Sequence, residues 1–349
     1  MSDTKPAKNA EVERRDFLKL GTAATAGFLA GGVLPAEARA LPALPSNPVT
    51  PAAMPTRNLG RTGYRVGICS LGGQATIEQP NKEAESVAIV ERALDLGINY
   101  IDTAAQYGGR DRWSQKYIGQ VMKRRRSETF LTSKTHDRTR DGSLALLEES
   151  LRLLNTDHLD LWQIHHLDRI EEVERIFAPD GAVAAMVKAR EQKMVRFLGI
   201  TGHSDPEVLM EALRRFPFDT ILMAVNAADK HHLPFTEKLL PMAVEKQMGI
   251  IGMKIPARGR ILASWTPPAG GGGWAGGTTA GTINMREAIH YVLSLPVSTI
   301  IIGCDTVAQL EDNVKIAREF TPLNDQQMAA LTKKTEPIAR QALFFRRWT

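Results

Sequence analysis

From Val66 onward the sequence alternates short apolar runs with longer amphipathic stretches, and this alternation limits the fold more than any other feature. Parallel strands that are covered on both faces read as continuous apolar runs, and the stretches between them have helical spacing. Eight strand-then-helix units in about 255 residues favour a closed (β/α)8 TIM barrel. The predicted strands are Val66–Leu71, Asn99–Asp102, Thr129–Ser133, Leu159–Ile164, Val195–Ile200, Thr220–Ala224, Gly249–Met253 and Val297–Ile302.

The clearest helices lie between these strands, at Glu83–Leu96, Ser143–Leu154 and Val307–Phe320. Another helix is expected to begin at Pro206, because proline suits the first helical turn. An open, doubly wound sheet is the structural alternative, and it usually binds a dinucleotide at a GxGxxG turn after the first strand. The first predicted strand ends in Leu71-Gly72-Gly73-Gln74, which lacks that spacing, so a Rossmann-type site is not expected.

The first forty residues have the order of an export signal. The twin-arginine pattern Glu13-Arg14-Arg15-Asp16-Phe17-Leu18-Lys19 precedes a mildly apolar run, and Ala38-Arg39-Ala40 offers small residues for cleavage. Residues 1–40 are therefore predicted to be a twin-arginine signal peptide, with the twin-arginine export machinery as a partner and a periplasmic location. An uncleaved signal would tether the protein to the membrane. The alternative is a cytoplasmic protein with a chance Arg-Arg pair.

Three further segments complete the expected organisation. Residues 41–57 are rich in Pro and Ala and are expected to form an extended linker. The barrel is expected over residues 58–325, followed by a C-terminal helix and tail over residues 326–349. The stretch from Pro256 to Thr282 is rich in glycine and follows the seventh strand, so it is either a mobile lid over a cofactor or a disordered insertion.

Charge and cysteine usage exclude some classes of function. The formal net charge is +5, and the basic residues form no broad stripe, so nucleic acid is not an expected partner. The two cysteines, Cys69 and Cys304, lack metal-ligand spacing, so no metal site is expected. They fall on neighbouring strands of a closed barrel, where an oxidising compartment would permit a disulfide. Two buried thiols are the favoured interpretation, because Cys304 lies beyond the end of its strand.

Polar side chains follow three consecutive predicted strands, at the ends where barrel enzymes carry out their chemistry. Asp102 ends the second strand, with Tyr107 in the loop after it, while Lys134 and His165 follow the third and fourth. A phenol with a nearby ammonium can protonate a carbonyl oxygen, and an imidazole can hold that oxygen by a hydrogen bond. Each residue alone could be a helix cap, a surface charge or a rim residue, but the four together are complementary.

The sequence resembles the aldo/keto reductase family at these residues. The resemblance rests on Asp102-Thr103-Ala104 with Tyr107-Gly108, on Ser133-Lys134, and on Leu159-Asp160-Leu161 followed by His165. Asn58-Leu59-Gly60-Arg61-Thr62-Gly63 is similar to the short hairpin before the barrel of many members. The resemblance implies that Tyr107 is the general acid, that Lys134 lowers its pKa and pairs with Asp102, and that His165 orients the carbonyl. His166 is the weaker candidate for that last role.

The same resemblance implies a nicotinamide cofactor, NADP(H) or NAD(H), and a small carbonyl or alcohol as substrate. The stretch after the eighth strand lacks the Lys or Arg residues with which the family grips the 2′-phosphate of NADP, and it carries Asp305. NAD(H) is therefore expected to bind as well as NADP(H), or better. The implied cofactor contacts are Gly72, Gly73, Thr201, Asn226, Gln309 and Asn313. His203 is an alternative contact for the carboxamide.

The function that follows is a nicotinamide-dependent reduction of an aldehyde or ketone to an alcohol, or the reverse. A different class of protein, a non-catalytic or regulatory barrel that holds a nucleotide, is the alternative. A barrel hydrolase would need paired carboxylates or several metal-binding histidines at the strand ends, and neither pattern occurs. The sequence identifies neither the substrate nor the oligomeric state.

Overall fold

A computed structural model describes residues 40–266 and 278–348. Eight parallel strands close into a barrel in chain order, and the last strand pairs with the first. The predicted TIM barrel is thereby confirmed. The predicted signal peptide and the centre of the glycine-rich stretch lie outside the described residues. The barrel strands are β3 (Cys69–Gly72), β4 (Tyr100–Asp102), β5 (Phe130–Thr135), β6 (Leu159–Ile164), β7 (Val195–Gly202), β8 (Thr220–Ala224), β9 (Gly249–Met253) and β10 (Thr299–Ile302).

Helices pack around the barrel and begin where capping residues allow. The side chains of Thr139, Asp205 and Thr306 each accept a hydrogen bond from a backbone N–H in the first turn of the helix that follows. The helices are α1 (Thr50–Ala53), α2 (Glu83–Asp95), α3 (Trp113–Arg125), α4 (Arg140–Leu153), α5 (Ile170–Phe177), α6 (Ala182–Glu191), α7 (Pro206–Arg215), α8 (Leu239–Glu245), α9 (Met285–Leu293), α10 (Val307–Arg318), α11 (Asp325–Thr335) and α12 (Ala339–Ala342).

The first predicted strand, Val66–Leu71, is divided in two. Its beginning belongs to β2 (Arg65–Gly67), which pairs antiparallel with β1 (Thr56–Asn58) in a hairpin before the barrel. Its end is the barrel strand β3. The apolar run is continuous because both parts are buried: Val66 packs in the barrel interior from below, and Leu71 packs in the core around the barrel.

Side chains alternate between the barrel interior and the surrounding helices, and this alternation positions the site. Tyr100, Phe130 and Leu161 fill the lower interior. Two residues further along each strand come polar side chains, and those of Thr132 and Gln163 reach the same carboxylate, that of Asp102. The lower interior is therefore apolar, and the polar layer lies above it at the C-terminal ends of the strands.

Residues 40–54, which include most of the predicted linker 41–57, lie against the base of the barrel and do not form a free spacer. The Asn47 amide donates to Leu94 O at 2.8 Å and to Ile98 O at 3.1 Å. The Thr50 hydroxyl donates to Gly97 O at 2.7 Å. Leu44 packs against the apolar cluster inside the barrel. Proline and alanine therefore do not make this segment a free spacer, because its few polar side chains satisfy carbonyls of the chain entering β4.

Cys69 and Cys304 are both buried free thiols, as favoured from the sequence. Within residues 40–266 and 278–348, no group of three potential ligand residues could hold a metal ion. A search of the same residues finds no helix with the length and apolar character needed to cross a membrane.

Candidate active site

A buried ion pair lies at the centre of the polar layer. The Lys134 ammonium, on β5, is 2.5 Å from an Asp102 carboxylate oxygen at the end of β4, and both side chains are 1% exposed. Lys134 also donates to Thr103 O at 2.8 Å, and the Thr132 hydroxyl donates to the second Asp102 oxygen at 3.0 Å. Asp102 and Lys134 thus lie on adjacent strands, and these hydrogen bonds hold each side chain in one orientation.

Tyr107 lies in the loop after β4 and brings its phenol to this pair. Its hydroxyl oxygen accepts from the Lys134 ammonium at 3.4 Å. The Tyr107 and His165 rings meet edge to face, with centroids 5.7 Å apart. The structure therefore brings together the four residues Asp102, Tyr107, Lys134 and His165.

The pKa of Tyr107 moves in the direction opposite to that implied by the family resemblance. Burial raises the pKa of the Tyr107 phenol well above its usual range, and the nearby Asp102 carboxylate raises it further. Lys134 carries a charge of the favourable sign, but Asp102 neutralises it at hydrogen-bonding distance. Tyr107 is therefore a protonated phenol that receives a hydrogen bond, which suits a proton donor better than a phenolate base.

The surroundings of His165 favour its neutral form. Burial lowers the pKa of His165 well below its usual range, and the Lys134 charge lowers it further. Its ring is 6% exposed, and Nδ1 is a buried atom without a hydrogen-bond partner among the described residues. A neutral imidazole with an unused ring nitrogen can hold the oxygen of a bound carbonyl.

His166, the weaker candidate, is held away from Tyr107. Its backbone is in the left-handed region, with a φ of 54°, and its Nε2 contacts the Asp168 carboxylate. Its side chain is 46% exposed. The Thr201 hydroxyl accepts from the His166 backbone N–H at 2.8 Å, which fixes the turn between the two histidines.

Two of the predicted cofactor contacts lie on neighbouring parts of the barrel. Thr201 is in β7, and Asn226 is in the turn after β8. Thr201 is fully buried, and its hydroxyl oxygen already accepts one hydrogen bond. The Asn226 amide donates to Ala342 O at 3.1 Å, and its oxygen accepts from the Ala228 N–H at 2.9 Å. Asn226 therefore holds the C-terminal segment, a role that the sequence does not indicate.

The remaining predicted contacts lie at the end of β3 and in α10, the helix that follows β10. A Cβ atom at Gly72 would be 3.0 Å from Gly303 N, and one at Gly73 would be 2.5 Å from Asp102 O, so both positions need glycine for close approach of the backbone. Gln309 accepts from the Asp305 N–H at 2.8 Å at the start of α10. Asn313 is buried and donates to the Cys304 sulfur at 3.4 Å.

The sequence prediction missed Lys254 and the buried pair of Arg346 and Asp229. Lys254 directly follows β9, so the rule that found Asp102 and Lys134 would also have selected it. Arg346, near the C-terminus, contacts the Asp229 carboxylate, and both side chains are fully buried. No sequence signal pairs these two residues, because they belong to distant segments.

Comparison with known proteins gives one family. The family model described as the aldo/keto reductase family matches residues 65–268. An uncharacterised oxidoreductase, YqkF, of Bacillus subtilis is 24% identical over 315 residues, which cover 81% of this chain and 97% of the relative. The L-galactose dehydrogenase of Arabidopsis thaliana is 26% identical over 298 residues, which cover 78% of this chain and 90% of that enzyme.

Solved structures have the same fold. The holo form of an aldo-keto reductase from Bacillus halodurans has a TM-score of 0.67 at 24% identity, covering 81% of this chain and 96% of that one. An aldo-keto reductase from Klebsiella pneumoniae in complex with NADPH has a TM-score of 0.64 at 21% identity, covering 81% of this chain and 95% of that one. At these identities the structures establish the barrel architecture.

Proposed function

The chain belongs to the aldo/keto reductase family of oxidoreductases, and on this premise we propose that it reduces an aldehyde or ketone with a nicotinamide cofactor, or catalyses the reverse. The observation that carries the proposal is the Lys134 ammonium, which lies between the Asp102 carboxylate and the Tyr107 phenol. A structural ion pair would need no phenol beside it. The Klebsiella pneumoniae relative, solved with NADPH, supports a nicotinamide cofactor for this chain.

The proposed roles follow from the charges and protonation states at the site. Tyr107 gives its hydroxyl proton to the carbonyl oxygen, and Lys134 stabilises the phenolate left behind by its hydrogen bond. Asp102 holds Lys134 in place. Neutral His165 donates a hydrogen bond to the same carbonyl oxygen and sets the position of the substrate. The cofactor, when bound, supplies the hydride that the carbonyl carbon accepts.

The barrel mouth is the opening at the C-terminal ends of the strands, and its residues fit the carboxamide of a nicotinamide. The Thr201 hydroxyl accepts from a backbone N–H and has its own proton left to donate. His203 is 8% exposed, and its Nδ1 is a buried atom without a partner among the described residues. A buried polar atom without a partner is costly, so a ligand amide is a good match. We assign the carboxamide to Thr201 and His203, because Asn226 already binds the C-terminal segment.

The residues at the start of α10, where the 2′-position of the cofactor ribose would bind, favour NAD(H). Asp305 is exposed at the start of this helix, beside Gln309. A carboxylate repels the 2′-phosphate of NADP and suits the free 2′-hydroxyl of NAD. NAD(H) is therefore proposed to bind as well as NADP(H), or better. A preference for NADPH above about a hundredfold, which is roughly 2.7 kcal/mol, would contradict this assignment.

The test begins with the nucleotide itself. The protein is purified from the cytoplasm with residues 41–349 intact and then denatured, and any released nucleotide is identified by mass spectrometry. Release of NAD or NADP, or a thermal shift with either one, is the expected result. Tyr107→Phe is then expected to lower turnover of a test aldehyde at least about 100-fold, because general acid catalysis is lost, while cofactor binding is retained. Nucleotide binding with unchanged turnover in Tyr107→Phe would instead favour the non-catalytic barrel.

We further propose that the protein is exported through the twin-arginine route. The support is the order of residues 1–40: the Arg14-Arg15 pair, the apolar run and the small residues at the end. This route carries folded proteins, so the barrel can bind its cofactor in the cytoplasm before it is exported. A bound cofactor that cycles between two substrates would remove the need for a nicotinamide supply outside.

A further inference from the structure

Lys254 is the residue at the barrel mouth whose charge the proposed mechanism does not use. It directly follows β9 and adopts a left-handed backbone conformation, with a φ of 62°. Its ammonium donates to the side-chain oxygen of Gln74, in the loop after β3, at 3.1 Å. Because β10 separates β3 from β9, Lys254 reaches across the end of one strand to make this contact. A non-glycine residue at positive φ is strained, and such strain concentrates at functional positions.

Two buried cations at the mouth have carboxylate partners. Lys134 pairs with Asp102, and Arg346 pairs with Asp229. Lys254 forms no ion pair within residues 40–266 and 278–348, and its hydrogen bond is to a neutral amide. That amide in turn donates to the Glu78 carboxylate at 3.3 Å, so the nearest acidic group is one side chain removed.

The surroundings of Lys254 are desolvated and positive. The pKa of Lys254 is lowered to about 8, mainly by burial and also by the charges of Arg258 and Lys134, against the opposing fields of Glu78 and Asp102. Burial lowers the pKa of His203 well below its usual range, and the Lys254 charge lowers it further. The Lys254 charge therefore acts on the buried ring whose Nδ1 has no partner among the described residues. A partly buried ammonium without a counter-ion destabilises a fold, and an anionic ligand would remove that cost.

We propose that Lys254 binds an anionic group of the ligand at the barrel mouth. The group carries phosphate or carboxylate oxygens, which suit an ammonium with two donor positions left beside Gln74. Two sources share this chemistry: the phosphates of the nucleotide, and a carboxylate on the carbonyl substrate. The inference rests on the proposed function for the identity of these ligands, but not for the anion site itself.

The matched variants are Lys254→Met, which removes the charge at similar length, and Lys254→Arg, which keeps it. Lys246→Met is the control, because Lys246 is exposed at the opposite end of the barrel. Without ligand, Lys254→Met is expected to unfold at the same temperature as the natural chain, or at a higher one. If Lys254 served only to stabilise the fold, Lys254→Met would lower that temperature, and Lys254→Arg would not restore ligand affinity.

Binding of NADH, followed by its fluorescence, tests the first source. If Lys254 binds nucleotide phosphate, Lys254→Met raises the Kd of NADH by about 10- to 100-fold, and Lys254→Arg recovers part of the loss. Reduced nicotinamide riboside, which has no phosphate, should bind both proteins equally. Benzaldehyde and 4-carboxybenzaldehyde test the second source. If the anion is a substrate carboxylate, the KM of the carboxylated aldehyde alone rises by a similar factor, while the Kd of NADH stays unchanged.

Inorganic pyrophosphate separates this inference from the proposed function. If the natural chain binds no nicotinamide nucleotide but is stabilised by pyrophosphate, and Lys254→Met is not, the reductase assignment fails and the anion site stands. The inference is overturned if Lys254→Met leaves the NADH affinity, the KM of the carboxylated aldehyde and the response to pyrophosphate unchanged. It is also overturned if Lys254→Met loses ligand binding and thermal stability together.

Discussion

The Lys134 ammonium donates all three of its protons to fixed oxygen atoms, those of Asp102, Thr103 and Tyr107. Its charge is offset by Asp102, so its main effect on Tyr107 is a directed hydrogen bond and not a long-range field. The phenol consequently stays protonated in the resting site, because burial raises the pKa of Tyr107. The site is therefore already set for proton donation, which is the step that carbonyl reduction needs.

The pH dependence of the two directions should differ. Reduction needs neutral His165 and protonated Tyr107, and the pKa of His165 is lowered while that of Tyr107 is raised. The kcat for aldehyde reduction is therefore expected to stay constant within about twofold between about pH 6.5 and 9. Alcohol oxidation needs the phenolate, whose fraction grows about tenfold per pH unit below the pKa, so its kcat should rise steadily over the same range.

Steady-state rates with saturating cofactor and substrate check this expectation in buffers of constant ionic strength. His165→Asn should keep both pH profiles but lower kcat for reduction, since an amide can still donate to the carbonyl. An inflection near neutral pH in the reduction profile, present in the natural chain and also in Lys254→Met, would show that His165 or Tyr107 titrates there, against the effect of burial.

Among the elements, the strands were predictable and the segments that close the site were not. Asp102, Lys134, His165 and Thr201 could be selected as candidates from the sequence because they lie at or directly after strand ends, where alternation directs the side chains inward. The contact of Asn226 with Ala342 and the pair of Arg346 with Asp229 join parts of the chain more than a hundred residues apart. Nothing in the local sequence specifies such pairs. The pKa direction of Tyr107 was missed for a similar reason, since burial is a property of the assembled site.

The tail that carries Arg346 is fixed on the mouth of the barrel by buried contacts. The guanidinium donates to Ala224 O at 3.0 Å and to His203 O, contacts the Asp229 carboxylate, and lies over the Phe235 ring. This arrangement ties the tail to the ends of β7 and β8. The wall that it forms beside His203 is part of the same surface that the proposed carboxamide contact needs.

Arg346→Met should therefore destabilise the barrel strongly. Removing one partner of a buried ion pair leaves the Asp229 charge uncompensated, and the expected loss in the free energy of unfolding is about 3–5 kcal/mol. Denaturant unfolding measures this loss. Arg347→Met is the matched control, because the Arg347 side chain is 53% exposed, and its loss should stay below about 1 kcal/mol.

Combining Arg346→Met with Asp229→Asn should recover part of the stability, since the second change removes the unpaired charge. The recovery is partial because the amide oxygen in Asp229→Asn can still accept from the Thr236 N–H and hydroxyl, whereas its NH2 group cannot accept from the Phe235 N–H. Equal losses in the single and double variants would show that packing of the guanidinium against Phe235, and not its charge, holds the tail.

At the scale of the molecule, the barrel has a covered base and a mouth whose polar layer contains a lysine, Lys254, without an ion pair among the described residues. The hairpin of β1 and β2 and the segment 40–54 cover the base. The mouth combines the neutral pair of Lys134 and Asp102 with the uncompensated Lys254. An anionic group of a ligand would therefore bind at the mouth and not at the base.

Export should depend on the two arginines at the start of the chain. Arg14→Lys with Arg15→Lys is expected to retain most of the protein in the cytoplasm, because the twin-arginine pattern is what the export machinery reads. Immunoblots of periplasmic and cytoplasmic fractions measure the distribution. Arg39→Lys, outside the pattern, is the control and should be exported normally. Equal distribution of the double variant and the natural chain would reject the twin-arginine proposal.

The contacts of the segment 40–54 also determine where the chain can be truncated or fused to another protein. The Arg196 side chain donates to Pro42 O at 2.6 Å, and the Ser46 N–H donates to Ser127 O at 3.0 Å. A version that starts at Pro55 would lose the groups that satisfy the carbonyls of Leu94, Gly97 and Ile98. Affinity tags, exchanged leader sequences and fusion partners therefore belong before Leu41. Attached at that position, they leave the contacts between the segment 40–54 and the base of the barrel intact.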